Sequence, residues 1–169
     1  MTGAGASAES GIPTFRDAMT GLWSRYSPEK LASPAGFAED PALVWNWYAW
    51  RRDIVAAAEP NRGHKAIGEM QSILPDCTLV TQNVDGLHQK GGSKKVMEYH
   101  GGLNKFRCVQ CHKRWSREDL DLERIRQEQR YPPYCECGGV IKDDGVFFGE
   151  PIPSDVMQQS EEEAWKCDL

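Results

Sequence analysis

Residues 77–88 read CTLVTQNVDGLH, and the reading of this stretch decides the fold. CTLVT is a short apolar, β-branched run of the kind that forms a buried strand. Ahead of it, Asn61 caps a helix in which Ala66, Ile67, Met70, Ile73 and Leu74 recur at helical spacing, until Pro75-Asp76 ends it. A helix, a short loop and a buried strand make half of an α/β unit. Gln82-Asn83-Val84-Asp85-Gly86 therefore falls at the carboxyl end of a strand, where open α/β sheets bind their ligands. The expected fold class is α/β. Cys77, at the start of the strand, and Cys167 read as buried thiols.

Downstream, VMEYH (96–100) reads as a second strand ending at His100, and the following Gly101-Gly102 leaves its imidazole free to project into a cleft. A lone histidine is more often structural, but Gln82, Asn83 and Asp85 end the neighbouring strand and offer groups that orient a ribose or an amide. That arrangement favours a general base at His100. His64 and His88 lack such support, and His88 is expected to bond within its own loop. Upstream, Asp40-Pro41 gives an N-cap and first turn for a helix that runs through ALVWNWYAWRRDIVAAA to Pro60. Leu43, Trp47, Trp50 and Ile54 form one apolar row; Val44, Tyr48, Arg51 and Val55 form the next, with Arg51 as its odd member. Arg52 points elsewhere and is expected to be solvated.

Cys108-Val109-Gln110-Cys111 and Cys135-Glu136-Cys137 are paired thiols separated by 23 residues. Each pair reaches one ion from a single tight turn, and four thiolates complete a tetrahedron with no position left for water. The expected metal is one structural Zn2+. Free thiols are the alternative; a c-type haem, suggested by Cys108 to His112, leaves Cys135 and Cys137 unexplained. A helical stretch from about Glu118 to Arg130 is expected between the pairs, a turn at Asp143-Asp144-Gly145 leading into VFFGE, and a helix from about Ser154 to Lys166.

The chain has 169 residues and a net charge of -5, with no basic stretch, so no nucleic-acid partner is expected. No run of 18 apolar residues and no secretory leader is seen, so no membrane role is expected. Thiols clustered for metal suit a reducing compartment, which points to the cytoplasm. Both ends read as cut: Gly3-Ala4-Gly5 follows only two residues where a strand is normal, and the chain stops where an α/β unit would continue. Gly3-Ala4-Gly5-Ala6-Ser7-Ala8 fits G-x-G-x-x-A, a turn whose amides approach a pyrophosphate. By itself it is equally an ordinary Gly/Ala turn. Beyond it stand Phe15, suited to cover a reactive centre, and Arg16, suited to pair with phosphate.

Together these residues resemble the sirtuins, the NAD-dependent protein deacylases. GAGASAESGIPTFR resembles the family's cofactor loop, PNRGHKAI its helix start, TQNVDGLH its nicotinamide and ribose segment, EYHGG its catalytic histidine and FFGE its substrate strand, with the cysteine pairs between the last two. The resemblance implies a Rossmann-like parallel sheet, incomplete here, over residues 1–24, 62–104 and 145–169, a helical module over 25–61 and a zinc module over 105–144. It implies NAD in the cleft and acyl-lysine protein or peptide entering from the other side. The acyl oxygen then attacks the ribose carbon as nicotinamide leaves, giving an alkylimidate, and His100 deprotonates a ribose hydroxyl. Asn83 orients ribose and water, Asp85 and Ile12 hold the carboxamide, Gln82 and Arg16 contact ribose and phosphate, and Phe15 shields the intermediate. Gly3, Ala4, Gly5 and Ser7 belong to the cofactor loop, and Val146, Phe147, Phe148, Gly149 and Glu150 to the substrate strand.

One branch of the family prefers succinyl, malonyl or glutaryl lysine through a Tyr-x-x-Arg pair, which Tyr48 and Arg51 match. Residues three apart share a helix face, and a guanidinium in an apolar row needs an anion. An internal carboxylate or a path to solvent are the alternatives. Ala18 resembles the small residue that widens this branch's acyl pocket. Asp143 departs from the family, which often has proline there, and Gly145 stands where a β-branched residue usually begins the substrate strand. A plain deacetylase, or a noncatalytic zinc-bearing module, remains a second reading.

Overall fold

The computed structural model describes residues 1–14, 17–18, 24–74, 76–128 and 131–167. Phe15, Arg16, Pro75 and Arg130 lie outside the described residues.

A one-turn helix, α1 (Gly5–Ala8), follows the first glycines. Ser27, Ser33 and Asp40 each precede a proline, and each side chain accepts a hydrogen bond from the amide three residues on. Proline at the first helical position sacrifices no bond. The chain therefore starts α2 (Pro28–Leu31), α3 (Pro34–Glu39) and α4 (Pro41–Ala57) in quick succession. Helix α4 is the central element. Trp47 packs with Leu31, Phe37, Leu87 and Phe147 in one core, while Trp45 packs with Phe106 and Ile141 in a second. Both indoles are essentially fully buried, and each contributes roughly 4–6 kcal/mol of apolar transfer.

Arg52 corrects the expectation of a solvated side chain. It is 5% exposed and ion-paired with Asp143, which is 2% exposed. One residue along a helix turns a side chain by about 100°, and that rotation carries Arg52 from solvent onto the neighbouring sheet.

Asn61 caps α5 (Arg62–Ile73) as expected, and His64 closes the reciprocal half of the capping box. The face that α5 buries was not the expected one. His64 and Gly68 are its buried members, whereas Met70, Ile73 and Leu74 are exposed. Next come β1 (Leu79–Thr81), α6 (Leu87–Lys90) and β2 (Val96–Glu98). Strands β1 and β2 pair in parallel, Leu79 opposite Val96, and Thr2 bridges β1 on its other side, also in parallel. This is the expected α/β arrangement with a parallel sheet, flanked by α8 (Ser154–Trp165), whose Ser160 reaches Met97 of β2.

A second sheet holds β3 (Lys105–Cys108), β4 (Arg114–Ser116) and β5 (Ile141–Asp143), antiparallel in the order β4-β3-β5. Helix α7 (Leu122–Gln127) is shorter than expected at its start, because Asp119 accepts bonds from Ser116 in a turn and Asp121 supplies the cap. Two further expectations are corrected. Asp143 is the last residue of β5 instead of a turn residue, held there by Arg52. VFFGE is not a strand: Val146 donates to His100 and Phe148 to Ala32, after which the chain turns. Bonds to two different partners leave it no continuous ladder. Cys77 is half-buried and Cys167 exposed, so neither is the buried thiol expected.

Candidate active site

The carboxyl ends of β1 and β2 open into a cavity of about 220 Å3. Its lining draws Ala4, Ser7 and Ile12 from the glycine-rich segment, Gln82, Asn83 and Asp85 from the end of β1, and His100 from the end of β2. Tyr48 and Arg51 of α4 and Val146 and Phe148 of the following turn complete the opposite wall. Residues scattered over nearly the whole chain meet here because parallel strands deliver their ends to one edge.

Ser7 is the hub of the polar floor. Its hydroxyl donates to Asp85 Oδ2 at 2.7 Å and accepts from Asn83 Nδ2 at 3.1 Å. His64 Nε2 lies 3.3 Å from the same oxygen. Since the hydroxyl proton is committed to Asp85, His64 Nε2 must carry a proton and donate. The other ring nitrogen agrees, for Nδ1 accepts the Asn61 amide at 3.2 Å. Asp85 Oδ1 accepts the Leu87 amide at 2.9 Å and starts α6. Contrary to expectation, His88 does not bond within its loop: its Nε2 meets Thr2 Oγ1 at 2.9 Å, and Thr2 donates onward to Thr81. The rings of His64 and His88 meet edge to face at 4.7 Å. Burial holds both imidazoles below their usual pKa, with His64 adding to the effect at His88 and Asp85 opposing it at both.

His100 Nδ1 lies 3.2 Å from the carbonyl oxygen of Gln82. A carbonyl only accepts, so Nδ1 carries the proton and Nε2 keeps its lone pair for a substrate proton. The next residue fixes this corner. Gly101 has φ of +71, and a Cβ there would sit 2.0 Å from the Asp144 carbonyl oxygen. His100 O in turn accepts from Val146 N at 3.0 Å. The turn is braced from below: Glu150 accepts from Phe147 N at 2.9 Å, and Lys142 donates to Gly145 O at 2.9 Å. Burial, joined by Arg107, brings the Lys142 amine down to about 8.

On the opposite wall, Tyr48 stacks on Phe147 with centroids 5.4 Å apart. Burial, then the charge of Asp143, raises its phenol well above the ordinary range while Arg51 opposes, so the hydroxyl remains a donor. Arg51 beside it has Nη1 buried with no hydrogen-bond partner among the described residues, and no described carboxylate pairs with it. Burial lowers its pKa, an effect that Tyr48 and Asp85 offset. The guanidinium lies over the Trp47 ring at 5.9 Å, which leaves that nitrogen's hydrogen-bonding capacity unused, and such a nitrogen at a cavity wall is a receptor for an anion.

The four cysteines converge some distance along the chain from this cavity, with all four sulfurs within 4.8 Å of one another. Cys108 and Cys137 Sγ are 3.5 Å apart, and Cys111 and Cys135 Sγ 3.6 Å apart. A tetrahedral zinc with bonds of about 2.3 Å spaces its sulfurs about 3.8 Å apart, so the donor set fits that ion. Burial would raise the Cys108 thiol, yet the amides of Cys111 and Gln110 and the neighbouring thiols hold it down to about 6. Gly139 is part of the fit: a Cβ there would meet Cys108 Sγ at 2.6 Å.

Of the residues singled out in the sequence, Gly3, Gly5, Ala18, Phe147, Gly149 and Glu150 do not line the cavity. Ala18 is buried in the core, Phe147 backs Tyr48, and Glu150 braces the turn. Phe15 and Arg16 lie outside the described residues. His64, Asp143, Arg52 and Lys142 support the site and went unassigned. Only His64 carried a local signal, its place three residues after a helix cap.

The Sir2 family sequence model matches residues 3–169. The NAD-dependent protein deacylase of Aquifex aeolicus is 48% identical over 163 residues, spanning 96% of this chain and 65% of that protein. NAD-dependent protein deacylase 1 of Pseudomonas aeruginosa is 47% identical over 171 residues, spanning 100% of this chain and 68% of that protein. Among solved structures, a Sir2 homologue in complex with NAD superposes with a TM-score of 0.86 at 43% identity over 98% of this chain and 62% of that one. Sir2 bound to acetylated peptide superposes with a TM-score of 0.79 at 30% identity over 96% and 63%. The chain thus spans about two thirds of the length of these relatives, and it belongs to the Sir2 family.

Proposed function

We propose that this protein is an NAD-dependent protein-lysine deacylase that removes succinyl, malonyl or glutaryl groups, and also acetyl. The observation that carries the acidic-acyl reading is Arg51: a buried guanidinium nitrogen with no hydrogen-bond partner among the described residues, on the cavity wall beside a protonated phenol. A terminal carboxylate on the acyl chain satisfies both. The deacylase reading is supported by the relatives named for that activity and by the neighbouring structures with NAD and with an acetylated peptide.

The residues present suit NAD. A Cβ added at Gly3 or Gly5 would meet nothing within 4 Å, so the backbone there is open to close approach. NAD supplies, when bound, an electrophilic ribose carbon and a leaving nicotinamide. Asn83 and Asp85, held by Ser7, orient the ribose and the carboxamide, with Ile12 closing the pocket. His100 accepts a hydroxyl proton at Nε2 while Gln82 O fixes its ring. Phe15 and Arg16, to which the resemblance gives the shield and the phosphate contact, lie outside the described residues. On this reading the cavity lies where the larger domain (1–24, 62–104, 145–169) meets the helical module (25–61), and residues 105–144 hold one structural zinc. The zinc thiolates suit a cytoplasmic location, and acylated proteins are the partners.

Arg51→Met tests the proposal. Removing a charge-assisted bond costs about 1.5–3 kcal/mol, so turnover of a succinyl-lysine peptide should fall roughly 10- to 100-fold more than turnover of the acetyl-lysine peptide. Equal losses on both peptides would point to a plain deacetylase.

A further inference from the structure

The walls of the cavity belong to different elements, and one buried ion pair joins them. Arg52 follows the cavity residue Arg51 on α4, about a quarter-turn away. Its Nη1 pairs with Asp143 Oδ1, both side chains being almost fully buried, and its guanidinium lies over the adjoining rings of Trp45 at 4.8 Å and Phe106 at 5.3 Å, whose own centroids are 5.8 Å apart. Asp143 ends β5, and the next three residues lead into the 144–148 turn, which lines the cavity beside α4 through Gly145 and Val146. The charge of Asp143 is also felt at the Tyr48 phenol.

We infer that Arg52 and Asp143 are positioning residues for acyl selectivity: their pair sets the rotation of α4 against the 144–148 turn, and so the placement of Tyr48 and Arg51 over the acyl group. A buried ion pair is a weak source of stability, since desolvation offsets most of its attraction, but its geometry is narrow and it can specify one arrangement among several packed alternatives. Phe106 of β3 and Trp45 of α4 pack against each other and together back the guanidinium, so α4 has a narrow register in which Arg52 reaches Asp143. In that register Arg51 faces the cavity. An apolar contact at the same place would bury similar area yet tolerate small rotations, because dispersion is not directional.

The inference rests on the acidic-acyl reading, and its test separates the two. Binding of fluorescent succinyl-lysine and acetyl-lysine peptides is measured by anisotropy without NAD, for the wild type, Arg52→Met, Asp143→Asn, the double variant Arg52→Met/Asp143→Leu, and Arg51→Met. Zinc content is measured for each. The double variant leaves no lone buried charge and is the one expected to fold with full zinc. We expect its succinyl-over-acetyl affinity ratio to fall on the order of tenfold, the size of coupling seen between contacting residues. Acetyl-peptide binding should stay nearly unchanged, which a merely loosened fold would not produce. Should Arg51→Met collapse the ratio while the zinc-replete double variant keeps it, the latch is wrong and the acidic-acyl reading stands. Should Arg51→Met also leave the ratio intact, both fall.

Discussion

Lowering the pH from 7.5 to 5.5 should destabilise the protein through its two buried imidazoles. His64 and His88 are each 1% exposed, and both have folded-state pKa values below the ordinary 6.5. The unfolded chain therefore takes up protons first as pH falls. Stability is fully present above about 6.5, declines as pH drops through that value, and stops declining below the folded-state values. Each histidine contributes at most about 1.4 kcal/mol per pH unit, so the pair contributes up to roughly 2.7 kcal/mol between the two pH values. Set against a typical total of about 5–15 kcal/mol, that is a large share. The local bonding explains why the folded state resists protonation. His64 Nδ1 is occupied as an acceptor by the Asn61 amide, and His88 Nδ1 is buried with no hydrogen-bond partner among the described residues. Urea unfolding at the two pH values, compared with a His64→Gln/His88→Gln variant, checks this. An unchanged urea midpoint in the wild type, or an equal shift in the variant, would refute the reasoning.

Gly101→Ala should lower the melting temperature by several degrees and weaken peptide binding. Left-handed backbone alone costs a non-glycine residue about 1–2 kcal/mol, and the 2.0 Å contact with Asp144 O forces the turn outward; scanning calorimetry and anisotropy read the two effects. Cys111→Ser should drop zinc from about one ion per chain to a sub-stoichiometric level by metal analysis, with loss of order in β3–β5. His100→Ala should cut formation of the deacylated peptide by about 10²- to 10⁴-fold, the usual worth of a positioned base, while acyl-peptide affinity and zinc content stay near wild type.

Much of this arrangement is legible along the chain because its causes are local. The Asp40-Pro41 and Asn61 caps mark α4 and α5, the β-branched CTLVT run marks β1, and the cysteine spacing marks the metal cluster. What was not legible depends on what packs from outside. Arg51 and Arg52 are the same residue type one position apart, and only the approach of β5 makes one a cavity residue and the other a buried ion-pair partner. VFFGE carries strand-forming residues, yet its amides find partners on His100 and Ala32 in succession and no ladder forms. The apolar row of α5 promised a core face, whereas the helix buries His64 and Gly68 against α6. His88 reaches Thr2 across 86 positions, a link that no spacing rule reveals.

The tight abutment of Gly101 on Asp144, together with the bond from Val146 to His100, welds the imidazole and one side of the binding chamber into a single block. Altering acyl preference by remodelling that side would drag the base out of line. Variation in chemistry is more cheaply drawn from α4, whose cavity-facing residues can be exchanged while the proton acceptor stays put, and a library built to retune this scaffold would begin at Tyr48 and Arg51.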